Sequence, residues 1–182
     1  MTSNFTVDAT VNPDFGQVEA DPAVINLAAF ESFFEEKRPF FVEDARVLDF
    51  GLSGRRNALY YSRRIGRSPH GGAPGGAEFD DVPLAARILG AAKVTGRTGS
   101  GLSVGALFAL TDEETGRGFF PEDGSVRDFM VEPRSEYGVL RLQQDFRGGD
   151  TQVGGIFTTA RRNLPSDGSF DWLSSTAYST GS

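Results

Sequence analysis

Residues 137–162 read YGVLRLQQDFRGGDTQVGGIFTTARR, and small or apolar residues alternate with polar ones on both sides of Gly148-Gly149. The first half has one face with few polar groups and one polar face: Gly138, Leu140, Leu142 and Phe146 against Tyr137, Arg141, Gln143 and Asp145. A period of two is typical of a β-strand, and Gly-Gly is typical of a two-residue hairpin turn. The stretch therefore predicts an antiparallel hairpin.

A two-residue turn at 148–149 also fixes the register of this hairpin. It pairs Leu142 with Gly155 and Leu140 with Phe157, so that apolar residues face one another across the strands. It also places Arg147 opposite Asp150, where opposite charges attract. The register therefore keeps one face of the hairpin largely free of charge.

A second hairpin is predicted for residues 88–111, because two alternating runs flank a turn signal at 98–101. A three-residue loop at 99–101 pairs Val94 with Ala106 and Ala92 with Phe108. Apolar and small residues share one face: Ile88, Gly90, Ala92, Val94, Gly96, Leu102, Val104, Ala106, Phe108 and Leu110. Residues 4–12 alternate in the same way and predict a further strand.

The remaining segments predict one more strand, a short one, and several loops. A strand is expected to begin at Phe170 and run to Tyr178, and a short one to span 59–65. Loops are expected at three places: 66–83, 112–136 and 163–170. The fold class is therefore all-β, with antiparallel hairpins and long loops.

Two kinds of β protein fit this alternation. Short and long connections alternate along the chain, and the charged side chains Lys93, Arg97, Arg141 and Asp145 share the face opposite the apolar one. An outer-membrane barrel has this pattern, with lipid outside and a wet lumen inside. A soluble sandwich has it too, with the apolar face turned inward. Periodicity alone leaves both open.

Composition excludes several functions. The 182 residues suit one domain, and the net charge of −7 argues against nucleic-acid binding. The absence of cysteine excludes disulfides, thiolate metal sites and a cysteine nucleophile. His70 is the single histidine, so a multi-histidine metal site is excluded as well. The N-terminus has neither the basic nor the apolar region of a signal peptide, and no apolar run reaches the roughly 18 residues of a spanning helix.

Residues 12–43 place six phenylalanines among many charged side chains. Asp21-Pro22 reads as a helix start, so a short helix is expected near residues 22–36, ending before Pro39. Such a segment would lie inside a barrel or at its rim. The alternative is a carbohydrate site, in which the phenylalanines stack on sugars and the charged groups hold hydroxyls. The candidate ligand-binding or lumen-facing residues are Glu35, Lys37, Arg38, Arg63, Arg64, Lys93, Arg97 and Arg141.

Four stretches resemble one family in the correct order: NPDFGQVEADPAVINLAAFESFFEEKRPFFVE at 12–43, LYYSRRIGR at 59–67, AAKVTGRTGSGLSVGALFALT at 91–111 and YGVLRLQQDFRGGDTQVGGIFTTARRNL at 137–164. The family is DUF5916, of bacterial envelope proteins. Its usual form of the first stretch has proline where this chain has Glu35 and glycine where it has Asp44. The resemblance implies an outer-membrane β-barrel, which in longer members follows a signal peptide and a family-9-like carbohydrate-binding module.

The resemblance implies a partial barrel domain over residues 1–182, and we expect the chain to be a piece of a longer protein. The domain divides into a first strand (1–20), a plug or rim segment (21–58), a short strand with a Gly/Pro-rich loop (59–84) and the hairpins (85–182). The expected function is that of a structural segment of an outer-membrane barrel, with a role in binding or passing an oligosaccharide or other solute.

The alternatives are a carbohydrate-binding or glycoside-hydrolase-like envelope protein anchored by the barrel, and a soluble β protein. The expected partners are outer-membrane lipid and carbohydrate, and nucleic acid is not among them. The family provides no catalytic residues, and none is assigned here. Enzymatic activity is therefore left open but not favoured, and no cofactor or metal is expected.

Overall fold

The computed structural model describes residues 4–13, 34–50 and 58–182. These residues form nine strands: β1 (Asn4–Val11), β2 (Phe79–Asp81), β3 (Ile88–Arg97), β4 (Leu102–Thr111), β5 (Glu114–Phe120), β6 (Ser125–Glu132), β7 (Ser135–Phe146), β8 (Thr151–Arg162) and β9 (Thr176–Gly181). Two single-turn helices, α1 (Pro39–Val42) and α2 (Ala45–Leu48), precede β2. The fold is all-β, as the alternation predicted.

Six strands of the described residues form an antiparallel sheet in the order β1-β3-β4-β7-β8-β9. The predicted register is confirmed in both hairpins. Val94 lies opposite Ala106 and Ala92 opposite Phe108 in the first, and Leu142 lies opposite Gly155 and Leu140 opposite Phe157 in the second. The register follows from local sequence because short connections leave each pair of strands little freedom to slide.

The two hairpin loops differ in how well they were predicted. In the first, the Thr98 N–H donates to the Leu102 carbonyl at 2.8 Å and Gly101 has φ +90°, which gives the expected three-residue loop. In the second, the strands end at Phe146 and Thr151, and residues 147–150 form a four-residue loop. The predicted two-residue turn with Arg147 opposite Asp150 is therefore wrong. Arg147 has a left-handed φ of +50°, like the two glycines that follow, and this widens the loop.

The expected loop at 112–136 is instead a β-hairpin. Strands β5 and β6 pair with each other, and β5 also pairs with β2 in a second, three-stranded sheet. Two glycines in β5 make room for Phe129, since a Cβ at Gly116 would lie 2.7 Å from its ring. Strands rich in glycine and charged residues show no clear alternation of apolar and polar residues, because neither type contributes to an apolar face. The sequence pattern therefore did not indicate β5 and β6.

Three other boundaries differ from those predicted. Residues 59–65 contain a 3₁₀ turn at Ser62–Arg64 and are not a strand. The last strand begins at Thr176, and Phe170 is instead a buried residue of the preceding turns. Most of the helix expected near 22–36 falls outside the described residues, and residues 34–36 are not helical. Helix α1 starts at Pro39, whose fixed φ suits a first helical position.

The two faces of the six-stranded sheet differ in what covers them. On the inner face, Leu107, Val139 and Ile156 are buried in a core that also contains Phe41, Leu48 and Ile65. The outer face is uncovered in the described part of the chain: Phe5 is 50% exposed, Val7 70% and Phe108 52%. Neither described helix is long or apolar enough to cross a membrane. The fold thus leaves an apolar surface in solvent.

Candidate functional site: the inner face of the sheet

Residues 34–50, called the inner segment below, lie across the inner face and are held there by side chains of the sheet. Lys93 in β3 is only 1% exposed. Its Nζ donates to the carbonyls of Phe40 at 2.8 Å and Glu43 at 2.7 Å, and it lies 3.5 Å from Asp8 Oδ2. A buried ammonium is costly unless its donors are satisfied, and here two main-chain carbonyls and a carboxylate satisfy them.

Two further hydrogen bonds hold α2 against the sheet. The Thr95 hydroxyl donates to Asp44 Oδ2 at 2.9 Å, and an Arg141 Nη donates to the Val47 carbonyl at 3.0 Å. Between these two residues lies Gly105, where a Cβ would come within 2.9 Å of Leu48 and 3.0 Å of Val47. Glycine is therefore required for this close approach. Three neighbouring strands each contribute one contact that positions α2.

A second polar cluster joins the inner segment to the 3₁₀ turn. Arg38, 7% exposed, donates to the carbonyls of Ile65 at 2.6 Å and Ser62 at 2.9 Å. It also forms a bidentate pair with Glu36, at 2.8 and 2.7 Å. The Ser62 hydroxyl donates to the same carboxylate at 2.5 Å, and Arg63 lies 3.9 Å from it. The cluster therefore ties the EEKRPFF stretch to the YYSRRIG stretch.

The Glu36 carboxylate is placed to stabilise the fold in a pH-dependent way. Burial alone would raise its pKa, but hydrogen bonds from Arg38 and Ser62 outweigh burial and lower the pKa below the ordinary value of 4.5. A lowered folded-state pKa stabilises the protein above the unfolded-state pKa, and that contribution is lost as the pH falls through the folded-state value. We therefore expect stability to fall below about pH 4.5.

We expect Glu36→Gln to reduce the free energy of unfolding at pH 7 by about 2 kcal/mol and to weaken its fall in acid, because the amide cannot accept two charge-assisted hydrogen bonds from Arg38. The neighbouring exposed Glu35 provides the control, and Glu35→Gln should change stability by less than about 0.5 kcal/mol. Urea unfolding at pH 7 and pH 4 measures both effects. Equal losses in the two variants would contradict the assigned role of Glu36.

A cavity of about 560 Å³ lies between residues 59–70 and the inner face of β7, β8 and β9. Its wall includes four tyrosines, three arginines and one histidine: Tyr60, Tyr61, Tyr137, Tyr178, Arg64, Arg67, Arg162 and His70. His70 is held from behind, because its Nδ1 lies 2.7 Å from the buried carboxylate of Glu132. Burial, together with the negative charge of Glu36, raises the pKa of Tyr60, so its hydroxyl stays neutral near pH 7.

The candidate residues chosen from the sequence do not form one site. Lys93, Arg141 and Arg38 lie inside, but they hold main-chain carbonyls. Arg97 pairs with Asp145 at 2.5 Å, and Arg63 lies against Glu36. Glu35 and Lys37 are exposed side chains of the inner segment, and Arg64 lines the cavity.

Sequence reasoning missed the cavity residues Tyr60, Tyr137 and Arg162. The alternation did place Tyr137 on the charged face of its strand, and extending that parity along β8 would have placed Arg162 on the same face. No metal-binding group of three or more His, Cys, Asp or Glu side chains occurs within residues 4–13, 34–50 and 58–182.

Fold and site together define an all-β protein with a six-stranded antiparallel sheet whose inner face is covered by a segment anchored through buried polar contacts. The chain belongs to the family described as Domain of unknown function (DUF5916), which matches residues 1–166. No curated protein and no solved structure matches the sequence.

Proposed function

We propose that this chain is part of the wall of a bacterial outer-membrane β-barrel, with the outer face of the six-stranded sheet against lipid and the inner segment inside the barrel. One observation carries the proposal. The exposed face is apolar and uncharged over its centre, and the charged side chains lie on the covered face. A soluble sandwich turns its polar face to water, whereas here the uncovered face is the apolar one.

The outer face is organised in rows across the strands. Three central rows contain no charged side chain: Phe5-Gly96-Val104-Leu142-Gly155, Val7-Val94-Ala106-Leu140-Phe157-Thr180 and Ala9-Ala92-Phe108-Gly138-Thr159-Tyr178. Charge enters at the next row, where Glu136 lies opposite Arg161. On the other side the next row, Leu102-Gln144-Val153, has no charged side chain either. A wide charge-free band is what a hydrocarbon layer requires.

The strand lengths also suit a membrane. Strands β3 and β4 have 10 residues and β7 and β8 have 12, whereas a tilted strand needs about 9–11 to cross. Six strands are fewer than the roughly eight of the smallest membrane barrels. The proposal therefore requires additional strands beside β1 and β9, which are the edges of the described sheet.

The competing candidate is a soluble β protein whose apolar face docks on another domain. The uncovered outer face favours the membrane assignment, because it exposes a larger contiguous apolar surface than soluble monomers usually do. A role in carbohydrate or solute binding within the barrel would rest on the inner cavity.

We expect the refolded chain to aggregate in buffer and to become monodisperse and β-rich in detergent micelles, because its outer face exposes more apolar surface than monomers tolerate. Light scattering and circular dichroism measure this. Threonine at Leu140, Leu142 and Phe157 should increase the soluble fraction in buffer, whereas the matched inner-face change Val139→Thr should not. A monodisperse monomer that melts cooperatively in plain buffer would favour the soluble alternative.

A further inference from the structure

We infer that the cavity between residues 59–70 and strands β7–β9 is a binding site for a small acidic saccharide, with the Arg162 guanidinium on the sugar carboxylate and the tyrosine rings against the sugar. This goes beyond the proposed wall function, and none of the residues chosen from the sequence except Arg64 takes part.

The size and lining of the cavity suit a small ligand. Its volume of about 560 Å³ falls in the range of small-molecule sites, roughly 300–1,000 Å³. Apolar side chains from the core, among them Ile65 and Val139, form part of its wall. Tyr60 and Tyr137 add aromatic surface, and Thr158 and Ser179 add hydroxyls that bond to each other. Aromatic faces beside hydroxyls suit a sugar ring, which has apolar faces and polar edges.

The positive charge of the cavity wall favours an anionic ligand. Arg64, Arg67 and Arg162 all line the cavity, and the lining found in the described residues contains no carboxylate. The net charge of the whole chain is −7, so this local excess of cations is contrary to the overall balance. A cationic cavity in an acidic protein concentrates anions locally.

Arg162 is the residue best placed to hold a carboxylate. One Nη donates to the Ser174 carbonyl at 3.0 Å, which fixes the guanidinium. Its Nε is buried and has no hydrogen-bond partner among the described residues. A buried, unpaired N–H is costly, and Nε forms with a neighbouring Nη the edge that binds carboxylates in a bidentate manner. Because Nε is covered in this structure, a ligand carboxylate would satisfy this donor after a small shift of the Arg162 side chain toward the cavity.

The test measures binding of galacturonate, galactose and inorganic phosphate to the full chain in detergent micelles by isothermal titration calorimetry. We expect saturable binding of galacturonate, with galactose and phosphate each at least about 10-fold weaker, because the sugar ring and the carboxylate both contribute. Equal affinity for galactose, equal affinity for phosphate or no saturable binding to the wild-type chain would overturn the inference.

Adjacent arginines on opposite faces of β8 provide a matched pair of variants. Arg162→Gln should weaken galacturonate binding about 10-fold or more, and Arg162→Lys should restore part of the loss. Arg161→Gln, on the outer face, should bind like the wild type. Equal binding by the Gln variants at 161 and 162, with both folded by circular dichroism, would overturn the inference. The facing of the sheet is measured separately, so failure here leaves the proposed wall function intact.

Discussion

The Lys93→Met variant is expected to lose about 3–5 kcal/mol of its free energy of unfolding in detergent micelles. Methionine has nearly the length of lysine but donates no hydrogen bond. The carbonyls of Phe40 and Glu43, which accept from Nζ at 2.8 and 2.7 Å, would stay buried without a partner, and Asp8 would lose its neighbouring cation. Urea titration followed by tryptophan fluorescence and circular dichroism measures the loss.

Lys37 provides the control, because it and Lys93 are the only lysines in the chain and Lys37 is exposed. Lys37→Met should change stability by less than about 0.5 kcal/mol. The inner segment should also become more accessible to protease in the Lys93 variant, since its first helix loses the contact that holds it. An equally stable, equally protected Lys93→Met protein would show that the inner segment is held by its apolar contacts alone.

Arginine on the outer face is expected to cost about 2–4 kcal/mol of stability in phosphatidylcholine vesicles if that face meets lipid. Ala106 and Thr180 lie in the same row of the sheet, at the centre of its charge-free band. Ala106→Arg and Thr180→Arg should therefore both impair folding into vesicles. Electrophoretic mobility of the folded form and resistance to protease measure the folded fraction.

Ser179 gives the control, one residue from Thr180 on the same strand. It lines the inner cavity and carries a hydroxyl of similar size, so the pair holds strand and depth almost constant and changes the face. Ser179→Arg should cost less than about 1 kcal/mol, because the side chain reaches a polar, open cavity. Gly105, which sequence parity suggests as the control beside Ala106, is unsuitable because it packs against α2. Equal losses of stability in Ser179→Arg and Thr180→Arg would contradict the assignment of Thr180 to the lipid-facing side. If neither substitution lowers stability, the sheet does not contact hydrocarbon.

The anchoring of the inner segment explains why charged residues on one face of the strands need not bind a ligand. Lys93, Arg141 and Arg38 all use main-chain carbonyls as acceptors, so each holds the shape of the backbone it touches. An N–H donor that is hydrogen-bonded to a carbonyl of its own chain is not available to bind a solute. Among the described residues, two buried side-chain donors have no hydrogen-bond partner, the Nε atoms of Arg141 and Arg162, and only Arg162 lines the cavity beside β7–β9.

Local sequence patterns predicted most strands of the main sheet, which side chains share a face, and most of the register. Leu140 opposite Phe157 and Val94 opposite Ala106 follow from a period of two and short loops, which are local properties. The patterns also indicated that Lys93, Arg97 and Arg141 share a face. These features were predictable because each depends on residues within about ten positions of a turn.

What the inward side chains touch depends on long-range packing. Lys93 meets carbonyls 53 and 50 residues away, and Arg141 meets one 94 residues away. Such partners depend on where the inner segment crosses the sheet, and no sequence period encodes that. The β5–β6 hairpin was not predicted because glycines in β5 make room for the Phe129 ring, and this contact exists only in the folded protein. The cavity likewise forms only when the segment around Tyr60 closes over strands that lie about eighty to one hundred and twenty residues further along the chain, so no local pattern could have predicted it.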